Sequence, residues 1–174
     1  MAEPPDGIDV SRHRDFEGRR LGQLLRHGFL ILLLALVVAG LLNVFGQGST
    51  TSSAEGAAAT LTLTAPSRVR GGLLYQATFR IHARRAIGAP TLVLARGWLE
   101  QTTVNTVEPE PVSTTSDEAH VKLRFAPMAP GRTLTVYVDL QVNPTNLGSH
   151  DGDVALFDAD RPLVAIDRTQ LDFP

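Results

Sequence analysis

The chain has no cysteine, and Lys122 is its single lysine. Without thiols there are no disulfides, no thiolate nucleophile, no Cys-ligated zinc and no Cys-linked lipid. Neither sign of charge is in excess: 16 Lys and Arg face 18 Asp and Glu, for a net −2. That balance argues against nucleic acid as a partner and leaves no acidic tail. Aromatic residues make up only 6% of the chain, and they are not interleaved with basic ones as a nucleic-acid surface requires. The phosphate-cradling glycine loop and the Gly-x-Ser-x-Gly elbow of hydrolases are also missing. No cofactor is expected.

Against this poverty stands one long apolar run. Phe29 to Phe45 reads FLILLLALVVAGLLNVF, with no charged residue and Asn43 as its one strongly polar side chain. Taken from Gly28 to Gly46, the segment forms about 28 Å of helix, close to the hydrocarbon thickness of a bilayer. A buried core helix would carry a polar stripe, which this segment lacks. Arg12, Arg14, Arg19, Arg20 and Arg26 precede the run, and no further cation follows until Arg68. Cations on the first flank hold that flank in the cytoplasm. The expected protein is therefore a single-pass membrane protein of the cell membrane, with residues 1–27 as a cytoplasmic tail, 28–46 as a signal-anchor helix and the C-terminal part outside. Small residues at Ser52-Ser53-Ala54 leave an alternative: signal-peptide cleavage near Ala54 and a secreted domain. The run is longer than a cleavable h-region usually is, which favours retention.

Residues 47–59, QGSTTSSAEGAAA, are small and polar and read as a flexible tether. From residue 60 the period becomes two. LLYQATFRIHAR sets Leu73, Tyr75, Ala77, Phe79, Ile81 and Ala83 on one face, AHVKLRF sets Ala119, Val121, Leu123 and Phe125, and TLTVYVDLQV sets Leu134, Val136, Val138, Leu140 and Val142. Thr60–Thr64, Thr91–Ala95, Trp98–Val107, Val154–Asp158 and Leu163–Leu171 read as further strands, separated by Gly- and Pro-rich turns. About seven or eight short antiparallel strands over residues 60–174 predict an all-β extracytoplasmic domain, an immunoglobulin-like or fibronectin-like sandwich with Trp98 plugging its core.

Three groups of residues invite a functional reading. The stretch from Asn143 to Asp160 is rich in oxygen donors; Asn143, Asn146, Asp151, Asp153, Asp158 and Asp160 would suit calcium, although Asp and Asn are also ordinary turn residues and the EF-hand spacing is absent. Arg80, Arg84, Lys122 and Arg124 would form one basic face if their strands were neighbours, fit for an anionic partner. His82 and His120 would share that face. In the apolar run, Ala35, Ala39 and Asn43 recur every four residues along one helix face, as helix pairing in a membrane requires. His82, His120 and His150 stand without an accompanying nucleophile, so a non-enzymatic protein is expected. Its partners would be the lipid bilayer and a membrane or envelope protein, with a cation- or ligand-binding module at residues 143–160 as the alternative.

Overall fold

The computed structural model describes residues 20–42 and 48–173, in two units that divide between Gly46 and Gln47. The first unit holds helix α1, Arg20–Leu41. Twenty of its residues, Gly22–Leu41, are long and apolar enough to cross a membrane. Leucine, a helix former second only to alanine, recurs throughout, and Leu24, Leu30, Leu34, Leu36 and Leu41 all stand exposed.

The second unit is a sandwich-like all-β domain of thirteen strands among the described residues. In chain order these are β1 Ser49–Glu55, β2 Ala59–Pro66, β3 Arg68–Arg70, β4 Leu74–Ala83, β5 Pro90–Ala95, β6 Thr102–Glu108, β7 Ser113–Ser116, β8 His120–Arg124, β9 Thr133–Val142, β10 Gly148–Asp151, β11 Val154–Asp158, β12 Arg161–Ile166 and β13 Thr169–Phe173. The first sheet runs β1-β2-β4-β9-β6 and the second β12-β11-β5-β8-β7, with a three-stranded sheet β10-β13-β3 beside them. Pairing is antiparallel except between β13 and β3. The inward residues make one continuous core: Leu61, Phe79, Ile81, Val136 and Leu140 come from the first sheet, and Leu92, Leu94, Leu123 and Leu156 from the second. Such burial supplies most of the stabilisation, at about 25 cal/mol per Å² of apolar surface.

Trp98 does lie in this core, with its ring 5.5 Å from that of Phe79. It sits in a short 3-10 turn, Arg96–Trp98, rather than at the start of a strand, which begins only at Thr102. Gly97 permits that turn, because any Cβ there would collide with the backbone of Asp151 on β10.

Several expectations are corrected. The stretch 47–59 is not a tether over most of its length: Ser49–Glu55 pairs with β2 in seven-residue register. Hydroxyls stabilise it, Thr51 meeting Thr64 at 3.0 Å and Ser53 meeting Thr62 at 3.2 Å. A polar edge strand needs no apolar alternation, and cross-strand Thr pairs favour the sheet. The β unit thus starts before residue 60. The strand count exceeds seven or eight because β3, β7 and β10 span only three or four residues, too few to display a period. The segment Leu163–Leu171 is two strands in two sheets, β12 and β13. Ala119 is exposed, since it precedes β8 in a turn.

Candidate functional site

The two five-stranded sheets treat their outer faces differently. On β4 the outward residues are Leu74, Gln76, Thr78, Arg80 and His82, and burial alternates strictly. On β5 all six residues are buried. Leu92 and Leu94 face the core, which Ala95 also joins; Thr91 and Val93 face outward yet are nearly as inaccessible, with Val93 9% exposed but outside the contiguous core.

The register explains what surrounds them. Lys122 on β8 pairs with Val93 on β5, Val93 with Ala155 on β11, and Ala155 with Ala165 on β12. These four side chains form a row across the strands, and at about 4.8 Å per strand it spans about 14 Å. The next outward row is taller, joining Arg124, Thr91 and Phe157. On the other side of the small-residue row stand His120, paired with Ala95, and the turns carrying Asp153 and Asp167. The result is a surface groove of about 420 Å³ with an apolar floor of Val93, Ala155 and Ala165. One end of its rim is the β11–β12 turn, where Ala159 adopts a left-handed φ of 53°. That conformation is unfavourable for a residue with a Cβ. It is held by the Ala159 amide donating to Ala89 O at 3.0 Å and by the Ala89 amide donating to Asp158 Oδ1 at 2.8 Å.

Charge around the groove is unequal. Lys122 Nζ lies 3.1 Å from Asp117 Oδ2, outside the floor. The Ala119 and His120 amides also donate to Asp117, at 3.0 and 2.7 Å. The Ala119 bond first, then Lys122 and the His120 bond, hold the Asp117 carboxyl down at about 2 against an ordinary 3.8. Asp151, Asp153, Asp160 and Asp167 line the groove, and none of them has a cation within 4.0 Å among the described residues.

The oxygen-rich stretch does not converge. Asp151 and Asp153 precede β11, while Asp158 ends it and Asp160 follows, so the strand holds the pairs roughly 15 Å apart. Asp151 Oδ1 caps the Asp153 amide at 2.9 Å, Asp153 Oδ1 accepts from the Arg168 amide at 2.7 Å, and Asn143 Oδ1 binds within its own turn. Among the described residues no three His, Asp or Glu side chains gather as a metal site would require.

The basic face is not assembled either. Arg80 lies on β4, whose neighbours are β2 and β9, and Arg84 follows it; Lys122 and Arg124 lie on β8 in the other sheet. His82 and His120 are separated in the same way. Arg84 instead pairs with Glu55 at 2.6 Å, and His82 Nδ1 meets Thr133 Oγ1 at 3.0 Å. On α1, Ala35 is exposed and Ala39 half-buried; Asn43 lies outside the described residues.

Sequence reasoning missed a buried polar chain at the β10–β13 end. The Tyr75 hydroxyl donates to Gln170 Oε1 at 3.2 Å, Gln170 Nε2 donates to Asp172 Oδ1 at 2.9 Å, and Asn146 Nδ2 donates to Asp172 Oδ2 at 2.8 Å. The Asp172 side chain is 1% exposed, and His150 stands 3.7 Å from both Asp172 and Glu100. Burial pushes the Tyr75 hydroxyl up to about 12 from 10.0, against the opposing pull of Gln170. Nearby, the Arg168 guanidinium lies 5.7 Å from the centroid of the Trp98 ring and donates to Ala65 O and Pro66 O. Desolvation lowers its pKa. Besides Asn146, already noted among the oxygen donors, the hint in the sequence was polar residues at strand positions, TQLDF, where Gln170 and Asp172 occupy the inward parity.

No protein-family model matches the chain, and no curated protein matches it. Among solved structures it is similar to a non-cellulosomal cohesin from the hyperthermophilic archaeon Archaeoglobus fulgidus, at 16% identity and a TM-score of 0.40, over 62% of this chain and 86% of that one.

Proposed function

We propose that this chain is a membrane-anchored, non-enzymatic binding module that holds a protein partner of the membrane or cell envelope. In this reading α1 is a retained single-pass span, the N-terminal flank stays in the cytoplasm, and the β unit is an immunoglobulin-like or fibronectin-like module outside. One observation carries the partner reading: the small-residue row Val93, Ala155 and Ala165 on the outer face of the second sheet, in a groove of about 420 Å³. A strand with apolar residues toward both faces is what a doubly covered sheet requires. Sandwich architecture alone assigns no function.

Retention of the helix is supported by β1. Cleavage near Ala54 would cut through Ser49–Glu55 and discard the residues that make the Thr51–Thr64 and Ser53–Thr62 contacts. Orientation is supported by the arginines that precede the span.

The test is co-purification of the full chain from solubilised membranes. One stoichiometric membrane or envelope protein should accompany the wild type, vanish with Ala155→Gln, which fills the groove without adding charge, and persist with Thr106→Gln on exposed β6. Equal recovery with all three chains would remove the groove from the interface. In parallel, a reporter active only outside the cytoplasm, fused after Pro174, should be active in a membrane fraction resistant to alkaline extraction. A released form beginning near Glu55 would instead show a signal peptide.

A further inference from the structure

Resting on the reading of the groove as the partner site, we infer that its occupant is a segment of the partner protein that carries Arg or Lys side chains around an apolar stretch, laid across the strands. The direction follows from the row. Val93, Ala155 and Ala165 belong to β5, β11 and β12 and succeed one another perpendicular to the strands. The floor strands β5 and β11 are paired on both sides. Their backbone donors and acceptors are therefore spent, so an occupant lying over β5 and β11 cannot join them as a strand; of the floor strands only β12, at the sheet edge, is paired on one side alone. Recognition must run through side chains. Counted from Lys122 at its end, the row spans about 14 Å and matches roughly four extended residues.

The sign of the occupant follows from charge. Asp151 and Asp153 lie at one end of β11, Asp160 lies beyond the other, and Asp167 follows β12; all four border the groove. Asp160 and Asp167 make no side-chain hydrogen bond among the described residues, whereas Lys122, the one cationic side chain in the lining, is already committed to Asp117 at 3.1 Å. An apolar body docked on the floor would exclude water from these carboxylates. Basic side chains at its flanks would compensate them, and acidic ones would be repelled.

The probes are two fluorescent peptides with the same four-residue apolar centre, one flanked by arginines and one by glutamates, titrated into detergent-solubilised full chain by anisotropy. The Arg-flanked peptide should bind, more weakly as salt rises, and about tenfold more weakly to the Asp160→Asn/Asp167→Asn double variant, since exposed pairs are individually modest and screened. The Glu-flanked peptide should bind at least about tenfold less well. Ala155→Gln should abolish binding. If both peptides bind equally and both are lost on Ala155→Gln, the groove remains a docking site and the cationic assignment fails. If the Arg-flanked peptide binds Ala155→Gln unchanged, its site is elsewhere, and the groove reading fails as well. Failure of the Arg-flanked peptide to bind at all, or spermidine or calcium binding in its place with loss in the double variant, overturns the inference while leaving the co-purification test to decide the groove.

Discussion

The first sheet and the second obey the same pleat but spend it differently. In β4 every second residue is apolar and buried, and the residues between are Gln76, Thr78, Arg80 and His82, which water can solvate. In β5 the intervening residues are Thr91, Val93 and Ala95, and all six positions are inaccessible. The first sheet is a wall with one dry face. The second buries both sides of its central strand β5, while Ala155 on β11 is half-buried and Ala165 on β12 exposed. The contrast is one of composition: strict alternation gives β4 a polar outer face, whereas β5 turns Val93 outward beside Thr91 and leaves that face largely apolar.

The largest effect should come from breaking alternation in the first sheet. Val138 on β9 is 1% exposed and its neighbour Tyr137 42%. Val138→Asp places an unpaired carboxylate in the core and should cost about 4 kcal/mol or prevent folding, whereas Tyr137→Asp should cost about 1 kcal/mol or less. Chemical denaturation of the two variants measures this, and similar midpoints would refute the assigned faces. The same experiment on adjacent residues of β5 sharpens the comparison. Leu92→Ala should cost about 3 kcal/mol, because it opens a cavity between the sheets. Val93→Ala should cost about 1 kcal/mol, because Val93 lies outside the contiguous core and its loss leaves no closed cavity between the sheets. Equal costs would mean that the outer face of β5 is packed as tightly as the core.

A smaller, conditional effect belongs to Tyr75, which links the first sheet to β13 through Gln170. Its hydroxyl ionises at about 12 when folded against 10.0 ordinarily. With the folded value raised, its contribution is complete below pH 10 and is lost between pH 10 and 12 as the unfolded chain ionises first. Two pH units correspond to about 2–3 kcal/mol at most. Tyr75→Phe should flatten the alkaline limb of the stability curve, read by denaturation at pH 9 and 11.5, at a neutral-pH cost of about 1 kcal/mol for the lost hydrogen bond. The smallest effect is expected at Asp117, beside the second sheet. Its folded carboxyl titrates at about 2, below the ordinary 3.8. Its contribution is therefore present above pH 4 and fades as pH falls toward 2. Asp117→Asn should lower the melting temperature slightly at pH 7 and leave it unchanged at pH 2; an equal drop at both would assign Asp117 a role that does not depend on its charge.

Much of this architecture is legible from residue order alone. An uncharged run of helical length declares itself by composition, since nothing else in the chain is so apolar. The long strands β4 and β9 declare themselves by period, because ten residues show alternation plainly. Residues 49–55 were not legible. Serine and threonine at the first five positions look the same in a tether and in an edge strand, and only the hydroxyl partners on β2 distinguish the two.

Site residues divide along the same line. The oxygen-rich stretch 143–160 and the basic residues of β4 and β8 are conspicuous as types, but whether they meet depends on sheet membership. By itself the sequence determined the periods, and through them which side of each long strand faces inward, because side-chain direction is a local property of the backbone. It also determined the apolar helix, because length and hydrophobicity are sums over contiguous residues. Only the tertiary structure decided that β8 joins β5 rather than β4, that Asp151 and Asp160 stand at opposite ends of one strand, and that Val93, Ala155 and Ala165 align into a single row. Those are pairings between residues distant in the chain, and strand order and register are set by how the whole core packs.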